Sequence, residues 1–213
     1  MPPLGHLYLV ATPRAELPET EFIARCLAAL DGGVDVLQLR CKTEEAATIL
    51  RLAEPLRDAT RERGVSFWIN DRVDVALAAG ADGVHLGQND VPVAWARRLA
   101  SDLMIGRSTG APDVAARSSD ERPDYIACGP VFATPTKPGR AAVGFDYVRW
   151  AAANVSIPWF AIGGINVENV NEVLGAGARR IVVVRAILDA DDPGAAARAL
   201  KAKVSPDSTC FPD

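Results

Sequence analysis

Gln38, Arg40 and Lys42 alternate along the end of an apolar run at residues 34–39. In an extended chain that spacing puts all three side chains on one side. Two of the three donors are cationic. Together they suit an anion, with arginine as a planar fork and lysine as a point charge. A strand that ends in solvated surface charges would look the same. Two aspartates follow other apolar runs, Asp71 in Asn70-Asp71-Arg72 and Asp90 in Gly87-Gln88-Asn89-Asp90. Carboxylates on neighbouring strand ends can share one hard cation. Mg²⁺ takes one or two carboxylates and fills the rest of its shell with water and phosphate oxygens. Capping is the bland use, because Asp71 precedes a helical stretch at 72–79 and Asp90 one at 91–100.

Other candidates stand at similar places. Ser108, in Gly106-Arg107-Ser108-Thr109-Gly110, can bond a ring substituent or cap the next helix. Residues 129–140 form a long segment rich in Gly, Pro and Thr without helical or strand period. Such loops in compact domains are usually functional lids, and its prolines argue against a structureless chain. It offers Thr134, Thr136 and Lys137. Gly163-Gly164 and Val184-Arg185 close two further apolar runs, and the glycines allow a phosphate to approach the backbone. His85 lies inside an apolar run and reads as a buried structural histidine. These residues suggest one anion site with Mg²⁺, suited to a diphosphate, and one backbone site suited to a monophosphate. Either two phosphorylated ligands or one doubly phosphorylated ligand would satisfy them.

The elements that must position these residues are legible as an alternation. Apolar runs at 7–10, 34–39, 65–69, 83–86, 103–105, 125–127, 159–162 and 181–184 are separated by segments of helical character, such as 44–63, 92–100 and 166–174. Strand and helix in turn imply parallel strands, and the runs carry few alternating polar positions because both faces are covered. Eight units in 213 residues match a minimal α/β TIM barrel, a (β/α)8 fold whose chemistry sits at the C-terminal strand ends. We expect one domain over residues 1–204 and a frayed tail at 205–213. The formal net charge of −4 gives no global attraction to nucleic acid or an anionic membrane. Cys26, Cys41, Cys128 and Cys210 form no CxxC pair and read as reduced thiols of a cytoplasmic protein without a membrane span.

These motifs resemble the thiamine phosphate synthase family. QLRCK (38–42), INDRVDVALAAGADGVHLGQND (69–90), IGRST, GPVFATPTKP, AIGGI and VVVRAI follow in the family's order. The resemblance implies a barrel enzyme that transfers a pyrimidinylmethyl group onto a thiazole phosphate with Mg²⁺. It implies small-molecule substrates and a homo-oligomer. Segment 38–42, which includes Leu39 and Cys41, would hold the pyrimidine diphosphate with Asn70 and Lys137. Asp71 and Asp90 would hold Mg²⁺, and Ser108 would contact the pyrimidine. Thr134, Pro135 and Thr136, with Gly164, Val184 and Arg185, would surround the thiazole phosphate. Arg40, Lys42 and Lys137 would carry the catalytic charge. No protein nucleophile is required, and the sequence shows no Ser–His or Cys–His arrangement.

Two positions depart from the family's pattern: Gly110 replaces its usual histidine, and Arg185 a frequent serine. Loss of that histidine argues against the related thiazole tautomerases, where it looks catalytic. The cations and aspartates argue against a non-catalytic sensor of thiamine precursors. A sugar-phosphate barrel would leave the TPTKP loop beside two aspartates without a use. Lys137→Ala should lower turnover at least about tenfold while the barrel stays folded. Wild-type turnover in a folded variant would remove Lys137 from the site.

Overall fold

The structure is a computed structural model and describes residues 4–134 and 142–205. Eight strands alternate with helices: β1 (Leu7–Ala11), β2 (Val36–Leu39), β3 (Ser66–Asn70), β4 (Gly83–Leu86), β5 (Met104–Thr109), β6 (Tyr125–Cys128), β7 (Trp159–Ile162) and β8 (Ile181–Val183). All neighbours pair in parallel, and β8 pairs with β1 to close the barrel. The helices are α1 (Glu19–Asp31), α2 (Ala46–Glu62), α3 (Val73–Ala79), α4 (Val93–Leu99), α5 (Pro112–Asp120), α6 (Gly144–Asn154), α7 (Val170–Gly175), α8 (Arg185–Leu188) and α9 (Pro193–Val204). The expected TIM barrel is therefore present. Among the described residues no helix is long and apolar enough to cross a membrane.

Strand parity sorts the core into two layers. Leu7, Leu9, Leu37, Leu39, Phe67 and Ile69 face the helices and pack against residues such as Phe22, Leu52 and Leu56. Tyr8, Trp68, Tyr125 and Phe160 face the axis and form a floor of aromatic rings. Tyr125 sits 5.2 Å from both Trp68 and Phe160 in edge-on contacts, the arrangement that ring quadrupoles prefer. The floor fits because two axis-facing positions carry no side chain. A Cβ on Gly83 would lie 2.7 Å from the Trp68 ring, and one on Gly106 would lie 2.3 Å from the Tyr125 ring.

The N-terminal end of the barrel is tied by a repeated device. Asp35, Asp82 and Asp124 each precede an even-numbered strand and accept from the first N–H groups of the strand before it. Asp35 accepts from His6 and Leu7 at 2.8 Å, Asp82 from Phe67 at 2.8 Å and Asp124 from Ile105 at 2.6 Å. Lys201 of α9 and Arg97 of α4 pair with two of these carboxylates. Each aspartate satisfies backbone donors that a strand end would otherwise leave open.

Two elements differ from the expected spans by more than two residues at one end. β5 runs on through Arg107, Ser108 and Thr109, beyond the apolar run at 103–105. Its polar side chains find partners inside the fold, so polarity there does not end the strand. α7 starts at Val170 rather than 166, because Asn166 Oδ1 accepts from Glu168 and Asn169 N–H and folds a turn first. Tail residues 206–213, including Cys210, and loop residues 135–141 lie outside the described residues. Gly106→Ala should destabilise the barrel by about 1–3 kcal/mol through overpacking against Tyr125, read from urea unfolding. An unchanged midpoint would show that the floor yields easily.

Candidate active site

A cavity of about 330 Å³ opens at the C-terminal ends of the strands, above the aromatic floor. That volume suits a small ring ligand. Gln38, Arg40, Asn70, His85 and Ser108 line the wall made by β2 to β5. Gln38 Nε2 donates to Asn70 Oδ1 at 2.7 Å. This uses Asn70's acceptor and leaves its buried Nδ2 without a partner. An orphaned buried donor costs about 1–3 kcal/mol, so its place in a cavity wall marks it for a ligand. Arg40 has no ion-pair partner among the described residues.

Parity corrects part of the expected segment. The side chains of Leu39 and Cys41 are buried in the layer between strands and helices, away from the cavity. They sit one residue out of phase with Gln38 and Arg40, so only their backbone is near the site. Burial pushes the Cys26 and Cys41 thiols up to about 12, so both stay protonated and inert.

Lys42, Asp71 and Asp90 meet at the rim. Lys42 Nζ pairs with Asp71 Oδ2, and Asp90 lies close enough to that carboxylate to perturb it. Asp71 has φ +64°, a left-handed conformation uncommon without glycine. Its N–H donates to His85 O at 2.8 Å. Asp90 Oδ2 accepts from Gly87 N–H at 2.6 Å. Neither aspartate caps a helix: α3 starts after Arg72 and α4 after Pro92, both without a side-chain cap. Burial raises the Asp71 carboxyl, and Asp90 adds to that against the lowering pull of Lys42. Burial alone would raise Asp90 too. Hydrogen bonds from Asp71 and Gly87, with the charges of Lys42 and Arg107, outweigh it and bring Asp90 down. Of the two, Asp71 is therefore held above and Asp90 below the ordinary carboxylate value. Among the described residues no third His, Cys, Asp or Glu completes a metal cage. Two neighbouring carboxylates without a third ligand fit a hard cation that keeps waters and takes ligand oxygens.

His85 is more than core filling. It lines the cavity, with Nε2 2.7 Å from Ser108 Oγ and Nδ1 2.7 Å from Tyr125 Oη. Ser108 thus forms a Ser–His contact that the sequence did not reveal, and it caps no helix. The register pairs His85 with Gly106, one inward position below Ser108. That parity was the available signal. Ser108 lies within β5, and a neutral tyrosine backs the histidine, so the pair lacks the carboxylate orienter of an activated nucleophile.

The opposite wall is mostly backbone. Gly163 and Gly164 have φ of +109° and +68°. A Cβ on Gly163 would lie 2.5 Å from Pro130, and one on Gly164 2.7 Å from Phe132. The bare backbone lets the start of the loop after β6 lie across β7, with Phe132 N–H on Gly163 O at 3.0 Å. Thr134 reaches the cavity from this loop, and Gly164, Val184 and Arg185 line it too. Arg185 has no ion-pair partner among the described residues. Pro135, Thr136 and Lys137 lie outside the described residues.

The family profile described as thiamine monophosphate synthase matches residues 7–187, from β1 into α8. This chain belongs to the thiamine monophosphate synthase family. The match spans all eight strands and the whole described cavity wall. A thiamine-phosphate synthase of Deinococcus radiodurans is 62% identical over 93% of this chain and 73% of its own. One from Thermus thermophilus is 55% identical over 94% of this chain and 98% of its own. The solved thiamine phosphate pyrophosphorylase of Pyrococcus furiosus superposes with a TM-score of 0.86 at 36% identity, covering 94% of this chain and 95% of that one. The synthase family is one of transferases, so the chain is an enzyme of that class.

Asp71→Asn keeps the side chain's shape and tolerates the left-handed turn, while removing one of two crowded carboxylates. Unfolding midpoints should stay at or above wild type, while turnover falls at least about tenfold. A folded variant with undiminished turnover would separate the pair from the chemistry.

Proposed function

We propose that the chain joins the methylene carbon of an aminopyrimidine methyl diphosphate to the ring nitrogen of a hydroxyethylthiazole phosphate, giving thiamine phosphate and diphosphate. One observation carries the reading. Arg40 and the orphaned Asn70 amide line the cavity, and at its rim Lys42 pairs with Asp71, whose carboxyl is in turn perturbed by Asp90. Cations alone would accept any anion, and neighbouring carboxylates repel unless a proton or a metal offsets their charge. Both together fit a diphosphate that arrives with a divalent cation. The names of the Deinococcus and Thermus relatives support the same activity.

Asp71 and Asp90 would hold Mg²⁺, and water and diphosphate oxygens would complete its shell. Bound there, the ion supplies neutralising charge for the leaving diphosphate. Arg40, Lys42 and Lys137 stabilise the same charge as the C–O bond breaks and its electron pair leaves with the diphosphate. The pyrimidine's exocyclic amine feeds electron density to the methylene cation. The floor of Tyr8, Tyr125 and Phe160 keeps water from beneath it. The thiazole nitrogen then closes the C–N bond with its lone pair and needs no proton transfer. Its phosphate lies against Gly163, Gly164, Val184 and Thr134. Arg185 adds a cation there, so the departure from serine strengthens that subsite. Positioning and charge supply the rate, with no covalent enzyme intermediate.

The direct test supplies both substrates with Mg²⁺ and then with excess chelator. Thiamine phosphate should form, stop with chelator and resume when Mg²⁺ returns. No product from demonstrably folded protein would discard the reading. Product indifferent to chelator would remove the metal from Asp71 and Asp90.

A further inference from the structure

We propose that a buried chain of hydrogen bonds, Tyr8–Tyr125–His85–Ser108, fixes the Ser108 hydroxyl as an acceptor toward the cavity, and so selects a ligand ring by its exocyclic amine. The inference deepens the pyrimidine reading and rests on it. His85 and Tyr125 are positioning residues here, acting through Ser108.

Proton accounting gives the direction. Tyr125 Oη donates to Tyr8 Oη at 3.0 Å. A phenol has one hydrogen to give. Facing His85 Nδ1 at 2.7 Å, Tyr125 must therefore accept, and Nδ1 must carry the hydrogen. In the neutral ring Nε2 is then the acceptor. Ser108 Oγ, 2.7 Å away, donates to it. The single hydroxyl hydrogen of Ser108 is thus turned away from the ligand, and its remaining lone pair faces the cavity. An amine N–H fits that lone pair, whereas an unprotonated ring nitrogen would repel it.

The chain is built into the floor. Burial raises the Tyr8 and Tyr125 phenols well above their ordinary value, so both keep their hydrogens. Tyr125 reaches His85 from β6 across β5 because Gly106 presents no Cβ in its way. Its ring stacks on the imidazole with centroids 5.7 Å apart at 25°, which holds the plane of His85. Tyr8 lines the cavity floor, where its own hydrogen can point. Ring plane, tautomer and hydroxyl direction are therefore set before any ligand arrives.

Two measurements on the full chain test this. Nitrogen-15 NMR reads the tautomer of His85. The chain has two histidines, so His6→Gln assigns the signals. Equilibrium binding, without the thiazole, compares the aminopyrimidine methyl diphosphate with an analogue carrying hydrogen in place of the amine. Wild type should show the Nδ1–H tautomer. Tyr125→Phe should mix the tautomers and weaken the amine compound about tenfold, with the analogue changed less than about twofold. Ser108→Ala should give the same selective loss, and the double variant should add little to either. An Nε2–H tautomer in wild type would reverse the chain and overturn the proposal. Equal losses for both compounds would reduce His85 and Tyr125 to packing and overturn it too. If folded wild type binds neither compound but shows the Nδ1–H tautomer, the pyrimidine reading fails and takes the named ligand with it, while the direction of the chain stands.

Discussion

In a closed barrel of parallel strands every side chain faces either the axis or the helices, and a one-residue slip would exchange the two sets. The rest of this molecule depends on that parity. The helix-facing set must bury a continuous surface, so Leu37, Leu39, Val84, Leu86 and Ile105 are apolar. The axis-facing set changes character along the barrel. Tyr8, Trp68 and Phe160 fill the floor. One inward step higher, Gln38, Asn70 and Ser108 line the cavity. A single alternation thus builds a core on one side and a polar wall on the other, from strands of a few residues each.

Stability and chemistry are separated along the same axis. At the N-terminal end the three aspartates that bind strand N–H groups remove open backbone donors. At the C-terminal end the same residue type does the opposite. Asp71 occupies a left-handed turn and crowds another carboxylate. Such strain persists only where the surrounding fold imposes it. Charge is distributed in the same spirit. The chain is net negative, and many surface arginines sit in exposed pairs such as Arg63–Asp31 and Arg117–Asp113. Exposed pairs contribute little to stability. Arg40 and Arg185 matter because they face the cavity without such partners, so a local field attracts anions that the whole molecule would repel.

The sequence made the fold legible because each buried strand is a short apolar run and each helix carries a stripe. It made Gln38, Arg40, Asp71 and Asp90 legible because they stand at run ends, where a barrel presents side chains. It was less clear where one residue decides the face. Leu39 and Cys41 belong to a motif that reads as a unit, yet parity turns them to the helices. His85 was hidden by its apolar neighbours, although those neighbours face the other way. Ser108 was visible only as a loop serine, since nothing local shows that β5 continues past Ile105. Its meeting with His85 depends on the pairing of β4 with β5, a relation between strands that no window of sequence contains.

That meeting shows why a motif of contacts is not yet a mechanism. A serine hydroxyl on a histidine nitrogen resembles an activated nucleophile, but the group behind the imidazole decides what the pair does. A carboxylate there would stabilise the imidazolium that forms when the histidine takes a proton. Here the group is Tyr125, a phenol held neutral by burial. It can receive the Nδ1 hydrogen but offers no charge to a cationic ring. The serine therefore keeps its proton, and the contact directs a hydrogen bond instead of generating an alkoxide. The proposed reaction, in which the diphosphate would depart with its own electron pair, would need that arrangement. Under that proposal an alkoxide beside a methylene cation would capture it, whereas a hydroxyl whose hydrogen bond is already committed would hold the ring and leave the cation to the incoming nitrogen.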